Sequence, residues 1–454
     1  MVIRLHSSLH HDAAWYIWVA RGLLQGKQLY SDFIEVNPPL GMWLTVPVVW
    51  LANQLHADDT VVYVATLFVV GGLILVMIER LLRHAVGVGF KWLLLLSFAF
   101  VFFLLPGADF GEREQLIVLF FAPWLMLKAV PCQFNIAGRI LAGVLAAAAI
   151  ALKPQGIFAP LFVEALLVAQ NRSWRGLVAA ENLSALAATC AYGLMMALFT
   201  PRFFADVISL GRIAYLPYYG YPFYVVIFNA RWAVVFALLA FIGWRNSATR
   251  IISVAGLGFA ISYFLQDKGF TYQALPATAF ALIACVARLA EDRNWKIPAV
   301  ATGVLGVLMM GSEPLLYSGD QLFFARKIEE EAPAAKSIFI ASTRLSDGFP
   351  LALEQKLIWA SRLPTQWLVP YVADHLQSKE DRVVAKALDV TVNDIATLQP
   401  EIIFVDQSPD QTYVPGGKFD YVQFWMRDQR FAALWQNYRR RPDADHFTVY
   451  VRAK

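Results

Sequence analysis

The sequence predicts a polytopic α-helical membrane protein, with about ten transmembrane helices plus interfacial helices, and a small C-terminal α/β domain on the extracytoplasmic side. Three observations predict this class. Of the 454 residues, 58% are apolar and only 16% are charged, against ~45–50% and ~25% in an ordinary soluble domain. Apolar runs that match a bilayer core of about 30 Å recur up to residue 312, and mean hydropathy is +0.51. After residue 313 the pattern changes to short strand-like runs between charged amphipathic stretches. Together these exclude a disordered chain, a secreted disulfide scaffold and an ordinary cytosolic enzyme.

The runs read as spans lie at about 60–82, 90–106, 114–130, 137–152, 156–170, 176–199, 223–243, 250–266, 270–289 and 296–312. The segment 38–55, PPLGMWLTVPVVWLANQL, is barely long enough and carries Pro47, and reads as an interfacial or re-entrant helix. Loops then fall into two alternating sets. One carries Glu79-Arg80 with Arg83 and Lys91, Lys128 to Arg139, Asn171 to Arg175, Arg245 to Arg250, and Arg288 to Lys296. Its positive charge makes it cytoplasmic. The other set holds Asp12 to Pro39, Gly107 to Glu114, Lys153-Pro154, Thr200 to Pro222, Gln266 to Gly269 and the tail, and faces outward. MVIRLHSSLHH lacks the apolar core of a signal peptide or anchor. With both ends outside, a first span is expected upstream of Met1.

Two domains follow: a transmembrane domain over 1–312 and an extracytoplasmic α/β domain over 313–454. The latter starts with helix-like SGDQLFFARKIEEEA, continues through strand-like KSIFIAST, KLIWAS, EIIFVDQ and HFTVYVR, and has amphipathic stretches at 378–399 and 419–440. It has no Gly-rich phosphate loop, which argues against a nucleotide site. Neither repeats of fixed period nor low-complexity tracts are present.

Net charge is +4, and the basic residues sit in short clusters between apolar runs, a topology signal rather than a nucleic-acid footprint. Cys132, Cys190 and Cys285 form neither a disulfide framework nor a CxxC pair. GxSxG, Walker A and HExxH are absent, against serine-hydrolase, ATPase and zinc-protease chemistry.

Chemistry is sought in the outer loops, because charge near a membrane is costly unless wet, paired or used. Asp12 opens the run AAWYIWVARGLL, a helix ended by Gly26 whose Trp15, Tyr16 and Trp18 suit the lipid interface. It is either a helix cap or a functional carboxylate. Asp109, Glu112, Arg113 and Glu114 crowd the mouth of a span; Arg113 either forks onto a phosphate or pairs with a neighbouring Glu. Lys153 and Lys268, in short outer turns, either snorkel or line a cationic pocket, with Gln266 and Tyr272 beside them for sugar hydroxyls. The long loop from Thr200 to Tyr224 holds Arg202, Asp206, Arg212, Tyr215, Tyr218, Tyr219, Tyr221 and Tyr224. Its tyrosines either mark the membrane interface or form a mobile lid that stacks on a sugar. Adjacent His10 and His11 are a poor metal pair, and Asp32 and Glu35 flank the Asn37-Pro38-Pro39 turn, where they could support Asp12 or hold a divalent ion.

The order Asp12, Trp15-Tyr16, Gly26, Leu29-Tyr30-Ser31-Asp32-Phe33 and Asn37-Pro38-Pro39-Leu40 resembles the first extracytoplasmic loop of the GT-C glycosyltransferases. These are multispanning enzymes that use polyprenyl-phosphate sugar donors. The similarity extends over residues 12 to about 312 and is strongest toward relatives of the protein O-mannosyltransferases and the lipid A aminoarabinose transferase. It implies that Asp12 is the general base, although the commoner Asp-Glu pair is Asp12-Ala13 here. It gives Glu112 or Glu114 a supporting catalytic role, and places Arg113, Lys153, Arg212 and Lys268 around a lipid phosphate, with Tyr218, Tyr219, Gln266 and Tyr272 on the sugars. No cofactor is required on this reading, and there is room for a divalent cation; no metal ligands are assigned.

The expected activity is inverting transfer of a hexose or pentose from a polyprenyl-phosphate donor to a hydroxyl of a cell-envelope glycan or lipid. The expected location is the outer face of the bacterial cytoplasmic membrane. The rival classes are a flippase for a lipid-linked glycan and a noncatalytic assembly subunit. Mid-span positions are nearly free of ionisable residues, with Glu164 and Glu181 near span ends, which favours catalysis over transport.

Overall fold

Proline, glycine and polar side chains decide where the apolar runs become helices. The computed structural model describes residues 7–83, 86–130, 134–241, 247–289, 321–378 and 381–453. The expected span 296–312, the loop residues 242–246 and 290–295, and Cys132 lie outside them. The chain divides into two compact units: Met1–Ser7, Leu51–Met196 and Tyr221–Tyr317 form the first, and Ser8–Trp50, Ala197–Gly220 and Ser318–Lys454 the second.

The first unit is helical. Asp58 caps the helix Asp59–Leu82 by accepting from the Thr60 and Val61 amides, and Asn135 caps Ile136–Leu152 by accepting from Gly138. The helices Val88–Phe103, Arg113–Ala129, Phe158–Asn171, Ala180–Phe199, Ser247–Gln266 and Leu275–Leu289 correspond to the remaining runs, except 223–243. That run is interrupted at Ala230 into Phe223–Asn229 and Arg231–Phe241, where the Asn229 side-chain amide donates to the Gly269 carbonyl at 2.7 Å. Among the described residues, three helices are long and apolar enough to cross a membrane: Asp59–Leu82, Ala180–Phe199 and Ala248–Gln266. Several others end one turn short of a full span. Leu40–Leu55 is one unbroken helix through Pro47.

Close helix approach in this unit depends on small residues. A Cβ on Gly258 would fall 2.4 Å from the Ala159 Cα, and one on Gly143 would fall 2.0 Å from the Glu181 carbonyl oxygen. Around them, Phe121 meets Phe259 and Phe280 edge-on at 5.1 and 5.6 Å. At the far end of Arg113–Ala129, Lys128 bridges Glu164 at 2.8 Å and Glu181 at 2.9 Å, and Arg139 also bonds Glu181. The acids near the span ends are thus neutralised by the basic loop residues.

The second unit is built on a five-stranded sheet of order β2-β1-β3-β5-β4. Its strands are β1 (Ser337–Ala341), β2 (Ile358–Trp359), β3 (Ile402–Asp406), β4 (Tyr438–Ala444) and β5 (Phe447–Arg452). β2, β1 and β3 are parallel, whereas β5 pairs antiparallel with both β3 and β4. β1 and β3 are buried throughout, as continuous apolar runs covered on both faces must be. β4 was not legible in YRRRPDA: it is an edge strand, where arginines and Pro442 are tolerated because one side has no ladder to complete.

The loop 8–50 and the segment 197–220 pack with this sheet. The Ile34 amide donates to the Arg362 carbonyl at 2.8 Å, the Trp367 indole donates to the Ile34 carbonyl at 3.2 Å, and Leu210, Ala214 and Tyr219 join the sheet core. Trp15 and Tyr16 are buried, so they do not mark a lipid interface. The Trp15 indole donates to Glu35 Oε2 at 2.7 Å, and the other Glu35 oxygen accepts from the Val36 and Asn37 amides and the Asn37 side chain at 2.7–2.9 Å. Phe33 lies so close to Gly22 that a Cβ there would overlap its ring.

Replacing Glu35 with Ala strands the buried indole and two loop amides, at an expected cost on the order of 3 kcal/mol. Thermal unfolding should show a clearly lower midpoint for Glu35→Ala, whereas Asp32→Ala, whose carboxylate is exposed and accepts only from the Gln28 amide, should shift it far less.

Candidate functional site

Each unit holds part of the residue set that the sequence singled out. In the second, His10 is the N-cap of the helix His11–Leu24 and makes no side-chain cap bond, which places Asp12 inside the first turn. Asp12 is therefore not the cap. Its carboxylate sits where unsatisfied amides and the helix dipole favour negative charge, and it is 15% exposed. His11 Nε2 lies 3.8 Å from Asp12 Oδ1. Burial, assisted by His10 and Arg344 and opposed by Asp12, pushes the His11 imidazole down to about 3. His11 is thus neutral at physiological pH.

The segment expected to be an irregular lid is helical as far as Tyr215, and Leu216 to Pro222 is irregular. Phe203–Val207 and Gly211–Tyr215 are π-helical turns flanking Ile208–Leu210. Tyr219 is a core residue, stacked on Tyr215 at 4.6 Å and donating to the Thr343 carbonyl at 3.4 Å, which leaves it no open face for a sugar. Tyr218 donates to Asp374 at 3.0 Å, and burial with that carboxylate pushes its phenol up to about 12. Arg212 is exposed. Apolar packing against the sheet has thus absorbed part of an aromatic cluster that sequence alone reads as a stacking surface.

In the first unit, Glu112, Arg113, Glu114, Lys153 and Lys268 are all buried. Glu112 precedes the helix Arg113–Ala129, whose first turn also carries Glu114. Lys153, between Ile136–Leu152 and the following 3-10 turn, pairs with Glu114 Oε1 and lies 3.4 Å from Gln266 Oε1 and 5.4 Å from the centre of the Tyr272 ring. Burial and the Arg113 guanidinium push the Lys153 ammonium below its ordinary value, against the pull of Glu114 and Glu112. Burial pushes Lys268 down to about 8, with Asp267 opposing. Gln115, which the sequence did not flag, pins the turn by accepting from the Gly111 amide and donating to the Phe102 carbonyl, both at 2.7 Å. Its signal in the sequence was only a polar residue one place inside an apolar helix.

The structure thus brings Glu114, Lys153, Gln266 and Tyr272 into direct contact, with Arg113 and Glu112 within electrostatic reach of Lys153. A set of buried cations beside carboxylates at a helix start can hold an anionic group and release it with little reorganisation. Among the described residues, no group of three or more His, Cys, Asp or Glu is arranged to hold a metal ion.

No protein-family model matches the chain, and no curated protein matches its sequence. Among solved structures, it is similar to ArnT from Cupriavidus metallidurans bound to undecaprenyl phosphate. The TM-score is 0.59 at 12% identity, over 98% of this chain and 94% of that one. Weaker likenesses are to the Archaeoglobus fulgidus oligosaccharyltransferase in its apo form (TM-score 0.42, 10% identity, 99% of this chain and 71% of that one) and to the mycobacterial arabinofuranosyltransferase AftD (0.39, 12%, 90% and 36%). The chain shares its fold with ArnT along nearly its whole length.

Two measurements follow from the site's electrostatics. Because the folded His11 binds its proton more weakly than the unfolded one, stability should be full above about pH 6.5 and fall as pH drops toward 3, by up to about 1.4 kcal/mol per pH unit. Unfolding midpoints at pH 7.5 and pH 5 should differ more for wild type than for His11→Asn; equal differences would mean that His11 titrates normally. Glu114→Gln leaves Lys153 buried without its carboxylate, at an expected cost of about 3–5 kcal/mol. The double variant Glu114→Gln/Lys153→Met should recover most of that loss in the same unfolding assay.

Proposed function

We propose that this protein is an inverting glycosyltransferase that moves a monosaccharide from a polyprenyl-phosphate donor to a hydroxyl of a cell-envelope glycan or lipid, on the outer face of the bacterial cytoplasmic membrane. The observation that carries the reading is the buried cluster in which Lys153 meets Glu114, Gln266 and Tyr272, with Arg113 and Glu112 within electrostatic reach. Perturbed lysines gather where chemistry is done, and a lysine beside a guanidinium suits a lipid phosphate. The ArnT fold, described with undecaprenyl phosphate bound, supports the same reading.

In the proposed step the acceptor hydroxyl oxygen attacks the anomeric carbon, the bond from that carbon to the phosphate oxygen breaks, and the lipid phosphate leaves with the electron pair. Asp12 takes the hydroxyl proton. Its position in the first helical turn favours negative charge there, and His11 beside it is neutral. Arg113 and Lys153 stabilise the departing phosphate, with Glu114 holding Lys153 until the donor arrives. Glu112 acts on the same group of charges. Gln266 and Tyr272, beside Lys153, contact sugar hydroxyls, and Tyr218 with exposed Arg212 takes part in donor binding. A single displacement needs one base and one stabilised leaving group, and no step is routed through a metal.

The test compares envelope glycans from a deletion strain complemented with wild type or Asp12→Asn at matched membrane levels. The deletion should lack one sugar, wild type should restore it, and Asp12→Asn should restore less than about one hundredth as much, the scale of a lost general base. Equal restoration by Asp12→Asn would overturn the mechanism and move the flippase or assembly-subunit reading ahead.

A further inference from the structure

The second unit contains a cavity that the transfer reading does not use. In the sheet order β2-β1-β3-β5-β4, the chain leaves β1 toward β2 on one side and returns to place β3 on the other. The β1–β3 boundary is therefore a topological switch point, and in open sheets of this kind ligands bind in the crevice outside the carboxyl ends of the strands at that boundary. A cavity of about 250 Å³ lies at this edge. Arg344 and Asp347 follow β1, Asp406 ends β3, and Ser408, Asp410 and Thr412 continue from it. Asp445 and His446, in the turn that joins β4 to β5, close the same edge, because Asp406 pairs with Phe447 at the start of β5.

The lining has two chemical faces. Phe323, Phe324 and Phe447 form an aromatic wall, and the remainder is four carboxylates, one guanidinium, two hydroxyls and an imidazole. Asp347 and Asp406 are buried. Asp347 accepts from Ser342 Oγ at 2.5 Å and lies 3.5 Å from Arg344 Nε, and Asp406 Oδ1 accepts from both the amide and the hydroxyl of Ser408.

We infer that this cavity binds one neutral or amino sugar ring, its hydroxyls donating to the carboxylates and its apolar face against the phenylalanines. At about 250 Å³ the cavity falls just short of the roughly 300 Å³ at which drug-sized ligand pockets begin, which leaves room for one small ring and no more. Carboxylates accept paired hydroxyls, Arg344 donates to ring or glycosidic oxygens, and an aromatic wall covers the C–H face of a pyranose. Four acids against one arginine exclude a phosphate or a uronic acid. Among the described residues no metal-type cluster is present, so the acids are not assigned to a cation. The inference is independent of the transfer step, because binding in this cavity needs neither donor nor Asp12.

The experiment uses the full-length protein in nanodiscs, with methyl α-glucopyranoside, methyl α-mannopyranoside and glucosamine as probes, followed by saturation-transfer NMR and calorimetry. Calcium chloride and inorganic phosphate serve as controls. At least one sugar should bind saturably, and Asp410→Asn, whose side chain is exposed, should weaken it at least tenfold with the unfolding midpoint unchanged. Arg344→Gln should weaken it as well, and Asp12→Asn should leave it intact. Absence of saturable binding, binding unaffected by both wall variants, or binding of calcium or phosphate in place of the sugars would each overturn the assignment.

Discussion

A carboxylate removed from water must have its lone pairs answered, and the second unit is organised around one that does. Glu35 receives the Trp15 indole on one oxygen and two backbone amides with a side-chain amide on the other. Those bonds fix the Asn37-Pro38-Pro39 turn and hold the helix His11–Leu24 against it. One residue away, the backbone of Ile34 both donates to Arg362 and accepts from Trp367. The loop is therefore fastened to the sheet by polar bonds that water cannot replace. Asp12 inherits its position from this arrangement.

The same constraint shapes the first unit at both ends of one helix. Arg113–Ala129 carries Glu114 in its first turn and Lys128 in its last, which is the sense its dipole favours. Each finds its partner on a different segment: Lys153 for Glu114, and Glu164 and Glu181 for Lys128. The two clusters differ in kind. At the Lys128 end the acids sit close on Lys128 and Arg139, and Asn182 shares its amide and carbonyl between Glu164 and the Trp124 indole. At the Glu114 end Lys153 pairs with Glu114 and is also acted on by Arg113 and Glu112, and Glu114 Oε2 is buried with no hydrogen-bond partner.

Much of the fold was legible in the sequence because its elements follow burial period alone. The apolar runs, the helix at 321–331, the helix within 378–399 and four of the five strands are visible in this way. What was not legible depends on partners distant in sequence. Strand β4 exists because β5 lies beside it. The tyrosines after Arg212 look like a lid until the sheet core takes Tyr219. Trp15 reads as an interfacial residue until Glu35 accepts its proton, and Glu35 itself reads as an auxiliary acid until every bond it makes is seen to be internal. Of the site, Glu112, Arg113, Glu114 and Lys153 were visible as charge set against apolar helices. Gln115 and the carboxyl-edge cavity were not, because neither has a local signature.

The acids of this chain can thus be sorted by how completely their charge is met. Glu35 is fully met and has no capacity left for substrate, which assigns it to structure despite its place beside a functional loop. Asp12 is supported by a helix terminus, partly exposed, and neighboured by an imidazole that burial keeps neutral. Arg344 acts on the same imidazole, so Asp12 lies in a polar neighbourhood at a helix start, in contrast to the closed hydrogen-bond set of Glu35. The four donors committed to Glu35 are what fix the loop that carries it.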